Sequence, residues 1–524
     1  MAKPPIYYTT PIYYVNDRPH IGHAYTSLAT DVLARFRRLD GHEVFFLTGT
    51  DEHGQKVEKA AQEAGQDPQA FTDRVSQAFG DLTATMGFSN DDFIRTTEPR
   101  HKAACVALWQ ALAERGEIYL GDYEGWYAVR DEAFYGPDEL TERDGVKVAP
   151  SGAPVEWVRE PSYFFRLSKW LPELLRRYDL PDGDPERIDI QPESRRNEVR
   201  AFVAQGLKDF ADRPEKLDLS VSRTSFTWGV KVPGDEKHVM YVWVDALTNY
   251  ITAAGYPDMG HPRWKFWPAD VHFVGKDIVR FHTIYWPAML LAAGLPTARR
   301  VFAHGWWTNE GQKISKSLGN VIDPVALVEE FGLDPVRYFL LREVPFGQDG
   351  DFSRKALVHR LNGELADALG NLANRVLSLI QRNCEGRLPA HAARSAEDEE
   401  LLGSVDALAE TLRKHLDQQH FHTALEAVFA SVREANGYIT KQAPWALKKT
   451  DQVRMAAVLR HLHAALRIYA TLLQPFMPNT MAALLDQLGV PADARDFAAL
   501  ATPLPGGTPL PPPAPLFRKI ELPA

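Results

Sequence analysis

The first fifty residues alternate in a way that few folds accept. "PPIYYTTPIYYV" is dense in β-branched and aromatic residues and predicts a first strand around Ile6 to Thr9. From His23 onward, Leu28, Val32, Phe36 and Leu39 recur at helical spacing, with Arg35, Arg37 and Arg38 gathered near the negative end of that helix. A second strand, Val44 to Leu47 in "HEVFFLTGTDEHG", runs into a glycine-punctuated loop, and a further helical stretch covers Pro68 to Met86. Strand, turn, helix, strand is the grammar of a parallel α/β sheet, whose ligands gather at the carboxyl ends of the strands. The turn that leads into the first helix reads "NDRPHIGHAYT", residues 16 to 26, so His20 and His23 fall at that end of the sheet.

The alternation is interrupted and then resumes. Between residues 117 and 225 glycine, proline and charge rise, and short β-like pieces read as an inserted module. "HVMYVWVDALTNYI", "DVHFVGKDIVRFHTIYWPAML" and "RRVFAHGWW" then restore the α/β pattern, and from about residue 355 sustained apolar 3/4 spacing describes an antiparallel helical bundle. The expected boundaries are therefore 1–116 and 226–325 for the two halves of the sheet domain, with the insert at 117–225. A stem follows at 326–354, the bundle at 355–500 and a proline-rich, extended tail at 501–524.

Bulk properties remove several function classes. At 524 residues the chain exceeds one ordinary core, so about two to four domains are expected. A net charge of −10 excludes a wholly basic nucleic-acid coat but not a local patch. One candidate patch runs from residue 441 to 470, where Lys441, Lys448, Lys449, Arg454, Arg460 and Arg467 outweigh Asp451; alone it fits a solvated helix face as well. Cys105 and Cys384 are the only cysteines, which excludes a disulfide framework and fits a reducing compartment. The opening "MAKPPIYYTT" does not read as a secretory signal, and the longest uncharged apolar stretch, residues 285 to 295, is too short to span a bilayer. A cytoplasmic protein is expected.

The chemistry-bearing motifs narrow the field. There is no Gly-x-x-x-x-Gly-Lys-Ser/Thr loop, no Gly-x-Gly-x-x-Gly, no His-Glu-x-x-His and no Gly-x-Ser-x-Gly, which removes weight from P-loop, dinucleotide, zinc-protease and serine-hydrolase readings. "HIGH" at a helix start offers free backbone N–H groups and two imidazole donors to phosphate oxygens whose charge grows during displacement at phosphorus. Gly22 there would let a flat base approach the backbone. "GQKISKSLGN", residues 311 to 320, alternates Lys313 and Lys316 with Ser315 and Ser317 between glycines, a flexible cationic loop suited to a departing pyrophosphate. Either motif alone reads equally as a surface turn.

Together they are more specific. "HIGH" in the first βα turn and "KISKS" after the last sheet strand, with "TTPIYYVNDRPHIGHAYT", "FLTGTDEHG", "YVWVDALTNY", "VHFVGKDIVRFH" and "APWAL", resemble the class I aminoacyl-tRNA synthetases, and within them the methionyl-tRNA synthetase family. The resemblance implies a Rossmann-like parallel sheet split by a connective insert, followed by an all-α anticodon-binding bundle. It implies two-step charging of initiator and elongator methionine tRNA through methionyl-adenylate, with Mg²⁺ arriving on ATP. By that resemblance His20, Gly22, His23, Gly275, Asp277, Lys313, Ser315 and Lys316 handle ATP, with His20, His23, Lys313 and Lys316 acting in the reaction. Ile12, Tyr14, Asp51, Trp243, Ala246, Tyr250, Ile278, His282 and Trp286 would form the methionine pocket, Asp51 answering the ammonium group and the aromatics the thioether. Spacing alone puts His282 and Trp286, four apart, on one helix face, while Trp243 and Trp286 fit ordinary core packing as well. Arg223 matches a position near the methionine site and equally an ordinary salt bridge. Asn371, Arg375 and Trp445 would read the anticodon by stacking and hydrogen bonding, Trp445 also fitting a cap on the bundle's end.

The chain also departs from that pattern. Ala128 and Asp131 stand where a Cys-x-x-Cys pair would sit in the insert, and no histidine occurs between His101 and His238, so no structural zinc is expected. Apolar packing through Trp126, Tyr127, Phe134, Tyr135 and Trp157 would hold the insert instead. No extra tRNA-binding module follows the bundle, so a monomer is expected. The competing readings are a class I synthetase for another amino acid and an RNA-binding relative without catalysis. Elemental analysis of the purified protein checks the metal expectation: zinc below one-tenth of an equivalent, on the order of background, is the expected outcome.

Overall fold

The computed structural model describes residues 3–15, 18–131, 133–136, 139–143, 145–314 and 319–521. Seven strands form its principal sheet: β1 (Ile6–Thr9), β2 (Tyr13–Tyr14), β3 (Val44–Asp51), β4 (Asp92–Arg95), β5 (Asp189–Gln191), β6 (Val271–Gly275) and β7 (Arg300–His304). Every pairing is parallel, in the order β5-β7-β6-β1-β3, with β2 and β4 also on β3. The register sets Tyr8 against Val271 on one side of β1 and Tyr8 against Phe46 on the other.

Successive side chains of a strand point to opposite faces, and the two cores divide accordingly. Ile6, Tyr8, Val44, Phe46 and Phe273 enter one core, while Tyr7, Phe45, Leu47 and Val274 enter the other. Both faces are apolar because both are covered, as a parallel sheet requires. The first core runs without a break through helix α1 (Ile21–Leu39) into the helical bundle, taking in Leu28, Val32 and Phe36 with Val336, Leu340, Leu425 and Leu466. The second is closed by helices α2 (Pro99–Glu114) and α3 (Val242–Ala254).

The chain leaves β1 toward β3 and β4 on one side and returns through β6 and β7 on the other, so β1 and β6 flank the point where strand order reverses. A crevice opens at the carboxyl ends of two such strands. The histidine turn follows β1 and β2, and Gly275–Asp277 follows β6, so both face that crevice by topology alone.

The segment expected as an insert, 117–225, is not wholly separate from this sheet, because β5 lies inside it and pairs with β7 as an edge strand. Its own sheet is antiparallel, with Ile118–Ala128 paired along its length to Glu156–Phe165 from Ile118↔Phe165 to Tyr127↔Glu156. The expected aromatic packing is only part of what holds its tip. Trp126 and Trp157 meet edge-to-face at 5.3 Å, but Trp157 stays 52% exposed, and the side chain of Phe134 lies outside the described residues. Tyr127 is buried there as expected, and Ala128, Ala149 and Ala153 form a small buried cluster against which Tyr135 packs. Asp131 organises the turn by accepting from Tyr135 Oη (2.9 Å) and from Ser151 Oγ.

One buried ion pair joins the two halves of the molecule. Arg337, in the Leu333–Arg342 helix, donates to Asp31 of α1 (2.7 Å), to Met86 O (3.0 Å), and to Pro475 O (2.7 Å) and Phe476 O (3.1 Å) at a turn of the bundle. Both partners are fully buried. Burial alone would raise the Asp31 pKa, yet Arg337 and Arg35 outweigh it and hold the carboxyl below its usual range. Around the rim Arg413 is bidentate to Asp40, and Phe36 meets Phe497 at 5.0 Å. No helix among the described residues is long and apolar enough to cross a membrane. Arg337→Met removes the arginine that ties Asp31 to the bundle and leaves the buried carboxyl with Arg35 alone, and is expected to cost about 1.5–3 kcal/mol of stability. A lower urea midpoint for the joined sheet and bundle is the expected reading; an unchanged midpoint contradicts this role.

Candidate functional site

The crevice at the strand ends holds a cleft of about 300 Å³. Its lining includes Ile12, Tyr14, His20, Gly22, His23, Asp51, Trp243, Ala246, Tyr250, Gly275, Asp277, Ile278 and His282. These thirteen come from five separate stretches of chain.

At one end α1 begins in a capping box made of two imidazoles. His20 Nδ1 accepts from Gly22 N at 3.1 Å, and His23 Nδ1 accepts from His20 N at 3.1 Å. An Nδ1 that accepts leaves the proton on Nε2, so each ring offers an Nε2–H donor away from the backbone. The rings lie 3.9 Å apart, and His23 is boxed by Tyr13 at 4.8 Å and Phe79 at 5.2 Å. Burial pushes the pKa of both down; Asp277 partly offsets this for His20, and the neighbouring His20 adds to it for His23. Both are therefore neutral donors at pH 7. At Gly22 a Cβ would stand 2.9 Å from His20 Cε1, so the glycine makes room for the imidazole. Gly275 is similarly required, since its Cβ would stand 2.4 Å from Asp277 Oδ1.

The other end is apolar and uncharged at its floor. His282 Nδ1 lies 3.0 Å from Ile278 O and donates to it, which leaves Nε2 to accept from Tyr250 Oη at 2.7 Å. Burial pushes the His282 pKa down to about 4 and raises that of Tyr250, so the pair carries no charge. Trp243 stacks on Phe281 at 3.6 Å. Asp51, 4% exposed at the end of β3, is the carboxylate at this end. Trp286 does not line the cleft. It is 1% exposed and stands one turn deeper, 6.2 Å behind Tyr250, so its share of the helix face is core.

A second cavity, about 600 Å³, adjoins the first through His20, Gly22, His304 and Trp306, and reaches Ile314 within "KISKS" and Val321 and Asp323 just beyond it. Ile21 N donates to Ile322 O at 3.1 Å, so the two signature segments are hydrogen-bonded neighbours. Lys313 pairs with Thr308 in a short antiparallel ladder; Ser315 and Lys316 lie outside the described residues. Sequence reasoning missed Asn249, His304 and Trp306. His304 ends β7 and bonds Thr26 Oγ1 at 2.6 Å, a strand-end position that the sheet grammar could have singled out.

Behind α3 the structure gathers His101, Cys105 and Asp245, a group that an inspection of the insert alone did not anticipate. The separations are those of hydrogen bonding: His101 Nε2 lies 2.7 Å from Asp245 Oδ1 and Cys105 Sγ lies 3.2 Å from His101 Nε2. Burial and Asp245 raise the Cys105 pKa, so the sulfur in this hydrogen-bonded group is a thiol.

In the bundle the guanidinium of Arg375 sits 5.3 Å over the ring of Trp445, which is 40% exposed rather than buried as an end cap; Asn371 opens the same helix as Arg375. The expected basic surface does not form as one patch. Arg460 and Arg467 are 4% and 5% exposed and donate inward to carbonyls of the tail, and Arg454 is bidentate to Asp398. Arg223 is buried against Tyr241 at 4.2 Å and bonds Ser220 and Ser222, outside the cleft lining.

Known proteins share this arrangement. A family described as "tRNA synthetases class I (M)" matches residues 6–377, and one described as "Anticodon binding domain of methionyl tRNA ligase" matches residues 388–522. The chain belongs to the class I methionyl-tRNA synthetase family. Methionine–tRNA ligase of Brucella suis is 55% identical over 521 residues, covering 99% of this chain and 98% of its own, and that of Rickettsia bellii is 56% identical over 499 residues, 94% of each. The Mycobacterium tuberculosis methionyl-tRNA synthetase in complex with methionyl-adenylate is 48% identical and superposes with a TM-score of 0.93 over 98% of this chain and 100% of that one. Its apo form gives 0.88 over 99% of each chain.

The tautomer assignment is testable by NMR. The ring Cε1 protons of His20 and His23 are expected to titrate below the ordinary imidazole midpoint of 6.5. A midpoint at or above that value would contradict the capping geometry, because a protonated Nδ1 cannot accept from the backbone.

Proposed function

We propose that this cleft carries out both half-reactions of a methionine–tRNA ligase, with methionine at the Tyr250–His282 end and the triphosphate at the start of α1. The observation that supports it is the pairing, in one crevice, of a helix start bearing two neutral imidazole donors with an aromatic pocket whose floor is uncharged and which carries Asp51. Methionine has that polarity: an ammonium for Asp51, and a polarisable thioether for Trp243, Tyr250 and His282, each sulfur–aromatic contact contributing about 0.3–1.5 kcal/mol. Ile12, Tyr14, Ala246 and Ile278 complete the walls.

In the first step a carboxylate oxygen of methionine attacks the ATP α-phosphorus. The bond from that phosphorus to the bridging oxygen breaks, and pyrophosphate leaves with the electron pair. The Nε2–H groups of His20 and His23 donate to phosphate oxygens as their charge grows; neutral donors held by backbone caps need no reorganisation at that moment. Gly275 and Asp277 take the ribose side. Lys313 and Lys316, with Ser315, follow the β- and γ-phosphates, and Mg²⁺ enters on ATP rather than in a protein cage. In the second step the 3′-terminal ribose hydroxyl attacks the methionyl carbonyl carbon and AMP departs.

Asn371, Arg375 and Trp445 take the anticodon loop, Trp445 offering an exposed face for a base and Arg375 a charge above it. Initiator and elongator methionine tRNAs share that loop, so both are substrates. The protein acts as a cytoplasmic monomer built as sheet halves 1–116 and 226–325, insert 117–225 without zinc, stem 326–354, bundle 355–500 and tail 501–524.

Amino-acid-dependent exchange of pyrophosphate into ATP, run across the twenty amino acids, tests the reading; exchange with methionine alone is expected, and no exchange or another amino acid overturns it. Lys316→Ala is expected to lower exchange while leaving tRNA binding intact. Trp445→Ala is expected to weaken tRNA binding about tenfold, the loss of one stacked base, with exchange unchanged. Equal effects of the two changes on both assays would contradict the division of labour.

A further inference from the structure

Behind the methionine end of the cleft, two imidazoles from different parts of the chain grip one carboxylate. Asp245 Oδ2 bonds His53 Nδ1 at 2.6 Å, and Oδ1 bonds His101 Nε2 at 2.7 Å. All three are at most 2% exposed, and none lines the cleft. Both carboxylate oxygens are thus satisfied, as a buried charge requires. Burial would raise the Asp245 pKa, and the two histidines reverse that strongly.

What each partner is attached to gives the arrangement a purpose. Asp245 lies in α3 between the cleft-lining Trp243 and Ala246. His53 follows Asp51 by two residues, in a loop fixed on its other sides: Trp228 Nε1 donates to Glu52 O at 2.6 Å, Gly54 N donates to Trp228 O at 3.0 Å, and Arg95 is bidentate to Glu52. His101 belongs to α2, which packs along α3, and its Nδ1 lies 3.4 Å from Thr252 Oγ1, two turns beyond Asp245. A single carboxylate therefore ties the loop carrying Asp51 to the helix carrying Trp243 and Ala246, and α2 holds that carboxylate from behind. Shift the tie, and the ammonium acceptor moves relative to the thioether wall.

We propose that His53, Asp245 and His101 form a positioning relay that sets the spacing between Asp51 and the Trp243–Ala246 wall, and so controls methionine affinity separately from ATP affinity. The inference rests on the methionine placement given above. Steady-state pyrophosphate exchange on the full chain, with methionine and ATP varied in turn, tests it. His101→Ala, His53→Ala and Asp245→Asn are each expected to raise KM for methionine about tenfold, the loss of one hydrogen bond to a charged group. KM for ATP is expected to stay within about twofold, as is kcat, since the α1 cap is untouched. The conservative variants keep an N–H at the required position, the amide of Asn standing in for Nδ1 and that of Gln for Nε2. His53→Asn and His101→Gln should therefore recover most of the loss, which a general loosening of the core would not allow.

An unchanged methionine KM in folded Asp245→Asn or His101→Ala protein overturns the relay. So does a parallel rise in both KM values, or conservative variants no better than alanine. If the alanine variants do not fold, Asp245→Asn decides by the same criteria. Asp51→Asn separates the two layers: a raised methionine KM there with none in Asp245→Asn rejects the relay alone, while no effect of Asp51→Asn rejects the methionine placement and the relay with it.

Discussion

Everything in this molecule is hung on helix α1, and α1 is held at its first turn by two imidazoles acting as backbone caps. His20 and His23 give their Nδ1 atoms to main-chain N–H groups, which orients both rings, selects their tautomer and leaves the Nε2–H pair for a ligand. The same residues thus stabilise the helix start and form its donor face. Further along the same helix, Asp31 receives Arg337 and through it the bundle. A shift of the bundle relative to α1 would strand a buried charge, so the helix transmits position between the two halves whatever the loops do.

Electrostatics divides the cleft into two kinds of site. At the α1 end the protein offers dipoles and N–H groups without a formal charge of its own on the imidazoles, because burial keeps both histidines neutral. At the other end Tyr250 and His282 satisfy each other and contribute no net charge, and the cleft's two carboxylates, Asp51 and Asp277, stand apart from that pair. An aromatic pocket with an uncharged floor discriminates by polarity first and by shape second. A cationic group would meet no partner at this floor, and desolvating it there would cost several kcal/mol.

The insert shows how a turn can be held with neither of the expected cysteines. Asp131 takes hydrogen bonds from Tyr135 and Ser151, and Ala128 joins Ala149 and Ala153 in a small buried cluster. In the Trp126–Trp157 pair beside it, with Lys147 4.2 Å over Trp126, Trp157 lies at the surface, while Tyr127 is the aromatic that is buried.

The amino-acid pattern by itself determined the parallel sheet, its first strand and helix, the interruption after residue 116 and the change to helices, because periods of two and of 3.6 are written locally in which residues are apolar. It also put "HIGH", Asp51 and "KDIVRFH" after strands of the parallel sheet, which gathers its strand ends on one edge, whereas "YVWVDA" follows a strand of a separate antiparallel sheet and joins the cleft only through the tertiary fold. What it did not contain was anything that depends on neighbours distant in the chain. Trp286 and His282 share a helix face, yet only packing behind Tyr250 makes one of them core and the other lining. Arg460 and Arg467 read as a basic surface until the tail lies across them and takes their guanidinium groups inward. His53, His101 and Asp245 stand up to 192 residues apart and carry no motif. Only the closing of α2 and α3 over the sheet brings them within hydrogen-bond reach, because a buried charge is defined by what surrounds it in space and leaves no period in the sequence.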